Sequence, residues 1–242
     1  MRTILLAAML IMPAAAIAYH YGPGQAMMAL DDASAQIRRA EEDVRLERYP
    51  QAIAAYDAAL SRIPPDRIDL ARSVRLEKAK ARLNNRGLGE AYDELMALKE
   101  ETEAAGTNVS PEFAADLRKT IAHAEYYMTW LLRLEGEPRD VWEPDIEAAR
   151  QNYKLLADAA RAVGNESQAD LLEGDLESAI RLARLDLSQL QALPLPKQCQ
   201  GCCSGNCKSK GNGKCRNQNK SDQRKEDVRA AGSGPPPDEK GS

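Results

Sequence analysis

Aromatic and histidine side chains are scarce in this chain, and their scarcity limits the folds that it can adopt. Of the 242 residues, one is Phe, two are Trp and two are His. Sheets are typically rich in aromatic and β-branched residues, whereas this sequence is dominated by Ala, Leu, Glu and Arg, most of which are strong helix formers. No stretch alternates regularly between apolar and polar residues as a strand would. The composition therefore predicts an all-α protein.

The motifs of the common enzyme classes are also missing from the sequence. It has no Gly-rich phosphate loop, no His-Glu-x-x-His metal helix and no nucleophile elbow. His20 and His123 are the two histidines available for acid–base chemistry, and they lie far apart in the chain. We therefore expect a protein that is not an enzyme and that holds no cofactor in its body.

The first 18 residues have the pattern of a secretory signal peptide. Arg2 gives a positive start, residues 3–12 are apolar, and residues 13–18 end in a small-x-small cleavage pattern at Ala18. The apolar run is short for a bilayer span, and no later stretch is apolar enough to cross a membrane. We expect an exported protein, in the periplasm, in the cell envelope or secreted, without a transmembrane span after cleavage. The Ala/Arg-rich composition is typical of a bacterial protein.

Proline, glycine and charge divide the remaining chain into a helical body and a tail. Residues 19–25 are predicted to be irregular, and residues 26–193 to form a short stack of antiparallel helical hairpins. About seven helices are predicted, near residues 25–48, 50–63, 66–84, 88–105, 111–135, 143–164 and 165–193. Residues 19–196 carry a net charge of −10, whereas residues 197–242 carry +5. Residues 194–242 are predicted to be a flexible, basic, Cys-rich tail.

The second predicted helix has the residue spacing of a known repeat. Tyr49, Ala52, Tyr56, Ala59 and Pro64 place aromatic, small, aromatic, small and proline residues in order. The segment resembles the second half of a tetratricopeptide repeat. Its alanines allow neighbouring helices to approach closely, while Tyr56 fills the space between them. The resemblance implies stacked helical hairpins that bind a protein partner along one face.

Fainter copies of this spacing follow, with departures from the family pattern. The second copy lies about 39 residues further on, at Ala79, Leu88, Ala91 and Leu95. A third contains Ala169 but lacks the aromatic residue and the proline. In the first copy, Gln36 and Asp43 stand where larger, often aromatic, residues are usual. These departures leave the position of any binding groove open.

The fifth predicted helix carries the candidate partner-binding residues, His123, Tyr127 and Trp130. Aromatic side chains with a polar tip are suited to recognition surfaces, so these three can line a groove for a partner. Alternatively, they pack against the sixth helix and Trp142. These three residues belong to one apolar stripe of the helix, and a second apolar stripe runs along another face. Two stripes predict that other helices pack on both sides of this helix.

All five cysteines lie in the predicted tail, at Cys199, Cys202, Cys203, Cys207 and Cys215. In an exported protein they can form disulfides within or between molecules, and an odd number leaves one over. Thiolates two to four residues apart can instead converge on zinc or copper(I). A third interpretation is a flexible tail in which the cysteines have no specific role.

These features favour an exported, non-enzymatic scaffold or adaptor that binds a protein partner through its helical surface. One alternative is an envelope metal- or thiol-binding protein that acts through the Cys-rich tail. Another is anchoring of the basic tail to an anionic envelope surface. Nucleic acid is the least supported partner, because no aromatic residues are interleaved with the basic ones to stack on bases.

Overall fold

The computed structural model describes residues 23–200, and in this range the long regular elements are α-helices. The predicted all-α class is therefore confirmed. The helices are α1 (Pro23–Arg45), α2 (Tyr49–Leu60), α3 (Ile68–Asn84), α4 (Leu88–Ala105), α5 (Pro111–Glu135), α6 (Arg139–Ala162), α7 (Glu166–Arg184) and α8 (Leu187–Ala192). Short 3₁₀ turns cover Gly106–Asn108 and Lys197–Cys199. The predicted signal peptide and most of the predicted tail lie outside the described residues.

The chain forms two compact units that divide between Lys78 and Ala79. In the first unit, α1 and α2 pack against each other as a hairpin. The stripe predicted from the repeat spacing is inside it, because Ala52, Tyr56 and Ala59 are all buried. A side-chain hydrogen bond from Lys78 Nζ to Asp57 Oδ1, 3.1 Å long, joins α3 to α2.

In the second unit, consecutive helices from α4 to α7 pack against one another. Their short connections make neighbours antiparallel. Many of the buried positions are alanines, which have little side-chain bulk and therefore allow close approach of the helices. Fully buried examples are Ala91, Ala122, Ala124, Ala149, Ala169 and Ala179. Helix α5 also contacts α8 and the turn Lys197–Cys199.

Helix α5 begins and ends where its capping residues predict. The Ser110 hydroxyl accepts a hydrogen bond from the backbone N–H of Phe113 at 3.1 Å, and Pro111 occupies the first helical position. At the other end, Gly136 has φ of 82°, in the left-handed region that glycine adopts without strain. These two caps define where α5 starts and stops.

Helix α6 begins earlier than the sequence predicted, at Arg139 rather than at Glu143. Pro138 is the residue before the helix, and Pro144 lies inside it. Because Pro144 is the sixth residue of the helix, it removes the hydrogen bond that a backbone N–H would donate to the backbone oxygen of Asp140. The ion pair between Arg139 Nε and Glu143 Oε1, 2.9 Å long, stabilises this first turn.

The seventh predicted helix is divided in two, which raises the number of described helices to eight. Helix α7 passes through Gly174 without interruption and ends at Arg184. Asp186 then starts α8 with a capping box, because its side chain accepts from the backbone N–H of Gln189 while the Gln189 side chain accepts from the backbone N–H of Asp186.

Candidate functional site: an acidic cluster on helix α5

Helix α5 is buried on more than one side, as its two apolar stripes predicted. Its neighbours include α4, α6, α8 and the turn Lys197–Cys199. The buried residues of α5 are Leu117, Thr120, Ile121, Ala122, Ala124, Glu125, Tyr127, Thr129, Trp130, Leu131, Leu132 and Arg133. Polar members of this set need partners inside the protein, and they are the starting point for a functional site.

The three residues predicted to bind a partner lie within this packing. Tyr127 is 4% exposed and Trp130 is 5% exposed. His123 Nε2 lies 3.4 Å from Asp175 Oδ2, and its ring centroid is 5.7 Å from that of Tyr153 on α6. These contacts agree with packing against α6 and α7. A role of the three side chains in binding a partner stays a prediction.

Cys199 differs in its placement from the flexible tail that the sequence predicted. The chain remains packed beyond Leu193, and Cys199 is 0% exposed. Its Sγ donates a hydrogen bond to the backbone oxygen of Tyr127 at 3.6 Å. The sequence gives little indication of this placement, because a cysteine close to prolines occurs in flexible tails as well as in turns that pack on a helical core.

The other four cysteines, Cys202, Cys203, Cys207 and Cys215, lie outside the described residues, so zinc, copper(I) and disulfide interpretations remain predictions. Within residues 23–200, no group of three or more His, Cys, Asp or Glu side chains is arranged to hold a metal ion.

Arg133 is a buried charge whose role is structural. Its guanidinium donates to the backbone oxygens of Leu182 and Leu185, at the carboxyl end of α7. The same group lies 4.6 Å from the centre of the Trp142 ring, within the range of a cation–π contact. Carbonyls in the last turn of a helix lack partners within the helix, so Arg133 satisfies two of them from a neighbouring helix.

Glu125, which the sequence analysis did not single out, is the most unusual side chain of α5. It is 7% exposed, and its Oε2 atom has no hydrogen-bond partner among the described residues. Burial raises the pKa of Glu125 to about 7, and the charge of Asp145 adds to the increase. The Lys99 ammonium and a hydrogen bond from Asn152 act in the opposite direction. Glu125 therefore exchanges a proton near neutral pH.

Helices α4 and α6 bring further polar groups to Glu125. Burial raises the pKa of Asp145, which lies on α6. Burial, with the charges of Asp145 and Glu125, also raises the pKa of Tyr92 on α4 to about 12. The Tyr92 phenol thus stays neutral at physiological pH and can donate a hydrogen bond. We call Tyr92, Glu125, Asp145 and Asn152 the acidic cluster.

Part of this cluster reaches the surface between α4 and α6. Glu125 is buried, whereas Tyr92, Asp145 and Asn152 are half-buried. Met96, one helical turn after Tyr92, is also half-buried, and Lys99 on the next turn is exposed. We call the partly exposed side chains of Tyr92, Met96, Lys99, Asp145 and Asn152 the α4/α6 face.

The chemistry of the acidic cluster suits recognition of a positively charged group. Carboxylate, carboxamide and phenol oxygens accept hydrogen bonds from N–H donors, and two carboxyl groups supply negative charge.

The sequence indicates that Glu125 is buried, but it gives no indication that the other residues of the acidic cluster lie near it. Glu125 is four residues after Ile121 and four before Thr129, at the spacing of a buried helical stripe. An acid at such a position predicts a buried charge. Tyr92, Asp145 and Asn152 show no such signal, because contacts between three helices bring them together.

Comparisons with protein-family models, with curated proteins and with solved structures found no match. The resemblance to tetratricopeptide repeats therefore remains a prediction from residues 49–64. In the described part of the chain, no helix is both long enough and apolar enough to pass through a bilayer.

Proposed function

We propose that this protein is an exported, non-catalytic adaptor that binds a protein partner at the α4/α6 face of its second unit. In this proposal the helical hairpins serve as a rigid support, as in the tetratricopeptide-repeat proteins that residues 49–64 resemble. Binding residues on packed helices keep a defined geometry, and a partner then loses little free energy in ordering them.

The observation that carries the proposal is the composition of the α4/α6 face. Tyr92 and Met96 belong to the residue types that are enriched in protein interfaces. Tyr92 lies near the carboxyls of Asp145 and Glu125, and Met96 lies one helical turn after Tyr92. An interface with an aromatic anchor and a desolvated charge has the features of a binding hot spot.

The packing of α4 and α6 on α5 supports the same proposal. Leu88, Ala91, Leu95 and Leu98 form the buried side of α4, and they leave Tyr92, Met96 and Lys99 on another side. On α6, the buried side includes Trp142, Ile146, Ala149 and Tyr153. A change on the α4/α6 face therefore alters the surface without removing the main core residues.

Capture of the partner from an envelope extract tests this proposal. We expect the full chain and a variant that lacks residues 201–242 to retain the same protein, because the face lies within the helical body. The substitution Met96→Glu should weaken retention by about tenfold or more, since it places a charge one helical turn from Tyr92.

Leu171→Glu is the matched control, because Leu171 is an exposed leucine on α7, which contributes no residue to the face. It should retain the partner as well as the unchanged chain does. Loss of the partner on removal of residues 201–242, with no effect of Met96→Glu, would contradict the proposal and support binding through the tail.

A further inference from the structure

The buried carboxyl of Glu125 has an oxygen that nothing in the described protein satisfies. Its Oε2 atom is inaccessible to solvent and makes no hydrogen bond to residues 23–200. An unsatisfied buried carboxylate oxygen costs about 1–3 kcal/mol or more, so such atoms are uncommon unless a ligand or a functional state uses them. This atom is therefore the first indication of a ligand.

The groups around Glu125 come from both flanking helices. Helix α4 contributes the Tyr92 phenol and the Lys99 ammonium, and α6 contributes the Asp145 carboxyl and the Asn152 carboxamide. The charge of Glu125 also acts on the phenol of Tyr153, which is buried on α6. Of these groups, the Lys99 side chain carries the positive charge, and it is exposed at the edge of the face.

This arrangement fits an organic cation better than a metal ion. Divalent cations such as calcium take six to eight oxygen ligands, and zinc takes four ligands. The described residues contain no group of three or more potential metal ligands, so two carboxyls are too few for a protein-built metal site. Two carboxyls with neutral oxygen acceptors and an aromatic ring are instead typical of sites for ammonium groups.

Among organic cations, the alkylammonium group of lysine matches the acceptors more closely than the guanidinium group of arginine. An ammonium is compact and has three N–H donors that point in different directions, whereas guanidinium requires acceptors in one plane. Glu125 and Asp145 lie on different helices, and Asn152 lies two helical turns after Asp145. Acceptors contributed by different helices suit the ammonium, which does not require them to lie in one plane.

We propose that the acidic cluster binds the ammonium group of a lysine side chain that the protein partner presents to the α4/α6 face. The inference rests on the proposed adaptor function and specifies its partner. In the complex, the half-buried side chains of Tyr92 and Asn152 move aside to admit the ammonium, because Glu125 Oε2 is inaccessible to solvent in the unbound protein. The ammonium then donates to the carboxylates of Glu125 and Asp145, and the side-chain oxygen of Asn152 accepts its third hydrogen bond.

A proton is released when the cation binds. Burial holds the pKa of Glu125 at about 7 in the unbound protein, so the carboxyl is largely protonated at pH 6 and largely ionised at pH 8. A cation binds the ionised form and lowers this pKa. Affinity should therefore rise with pH, by up to about tenfold between pH 6 and pH 8.

Titration with n-butylammonium, a mimic of the lysine side chain, tests the site without requiring the partner. The full chain is titrated at pH 6 and at pH 8, and binding is followed by NMR chemical shifts of the Asn152 side chain. We expect saturable binding that is about tenfold tighter at pH 8. N-propylguanidinium, titrated in parallel, should bind more weakly.

Two variants identify the groups responsible. Glu125→Gln should abolish both the binding and its pH dependence, and Asp145→Asn should weaken binding at both pH values. Asp158→Asn removes an exposed carboxylate from the same helix and should leave binding unchanged. Circular dichroism checks that each variant is folded. If Glu125→Gln does not fold, the Asp145→Asn variant provides the test.

The outcomes separate this inference from the adaptor proposal. Absence of n-butylammonium binding at both pH values, or equal binding by Glu125→Gln, would overturn the ammonium site. Tighter binding of N-propylguanidinium would show that the partner presents arginine and would overturn the choice of lysine. Binding of n-butylammonium by a protein whose Met96→Glu variant retains its partner normally would leave the site in place and contradict the adaptor proposal.

Discussion

A glutamate inside a helical core has to be compensated, and Glu125 is compensated mainly by holding its proton. Its carboxyl is buried, and the neighbouring Asp145 carries the same charge. The ammonium of Lys99 acts in the opposite direction, but this side chain is exposed to solvent. Both burial and the like charge disfavour ionisation, so the pKa of Glu125 rises from 4.5 to about 7. The protonated form then has an O–H to donate, which reduces the cost of its burial.

The stability of the protein should depend on pH through this residue. Because the folded pKa of Glu125 lies above the unfolded one, the folded state binds the proton more tightly. The stabilisation is fully present below pH 4.5 and is lost as the pH rises through 7. Between pH 5 and pH 8, the free energy of unfolding should fall by about 2 kcal/mol from this group.

Urea unfolding at the two pH values measures this effect. Glu125→Gln keeps the size of the side chain and removes the titration, so its free energy of unfolding should lack this decrease. The control Asp158→Asn should keep it. A decrease of the same size in Glu125→Gln and in the unchanged chain would show that another group is responsible.

At the scale of the helices, local capping chemistry decided which boundaries could be predicted from the sequence. The ends of α4 and α5 were predicted because Gly106, Ser110 and Gly136 carry strong signals. The start of α6 was missed because Pro144 resembled a first-turn proline, although Pro138 precedes the helix. The break after α7 was missed although Asp186 and Gln189 have the spacing of a capping box.

Contacts between helices are less visible in the sequence than their boundaries. The buried stripe of α2 was predicted from alanines at helical spacing, since their small side chains allow a neighbouring helix to approach closely. The acidic cluster could not be assembled in this way. Tyr92, Glu125 and Asp145 lie on three helices, and their proximity follows from how α4 and α6 pack on α5 rather than from any spacing along the chain.

Arg133 allows a test at the scale of one helix end. The substitution Arg133→Met removes the donors to the backbone oxygens of Leu182 and Leu185 and the cation above Trp142. The free energy of unfolding should fall by about 2 kcal/mol, because buried carbonyls lose charged donors. Hydrogen exchange should become faster in the last turn of α7.

Arg139→Met provides the comparison, because Arg139 is exposed and pairs with Glu143 within the first turn of α6. A surface pair of this kind contributes little to stability, because water and salt screen its charges. Equal destabilisation by the two substitutions, with no change in exchange near Leu182, would contradict the role assigned to Arg133.

For the whole molecule, composition was enough to predict the class of fold. The separation of an acidic helical body from a basic tail stays a prediction, because most of the tail lies outside the described residues. The division into two units at Lys78 and Ala79 was not predicted, since it falls inside the continuous helix α3. No motif along the chain marks it. The α4/α6 face was not predicted either, because it combines residues of the second unit that have no shared sequence pattern.

The central claim is that a partner binds at the α4/α6 face, and site-specific photo-cross-linking in intact cells tests it most directly. A photoreactive phenylalanine analogue replaces Met96 in one strain and the exposed Lys154 of α6 in another. We expect a discrete cross-linked protein from position 96 and none from position 154. Equal cross-linking from both positions, or none from position 96, would contradict it.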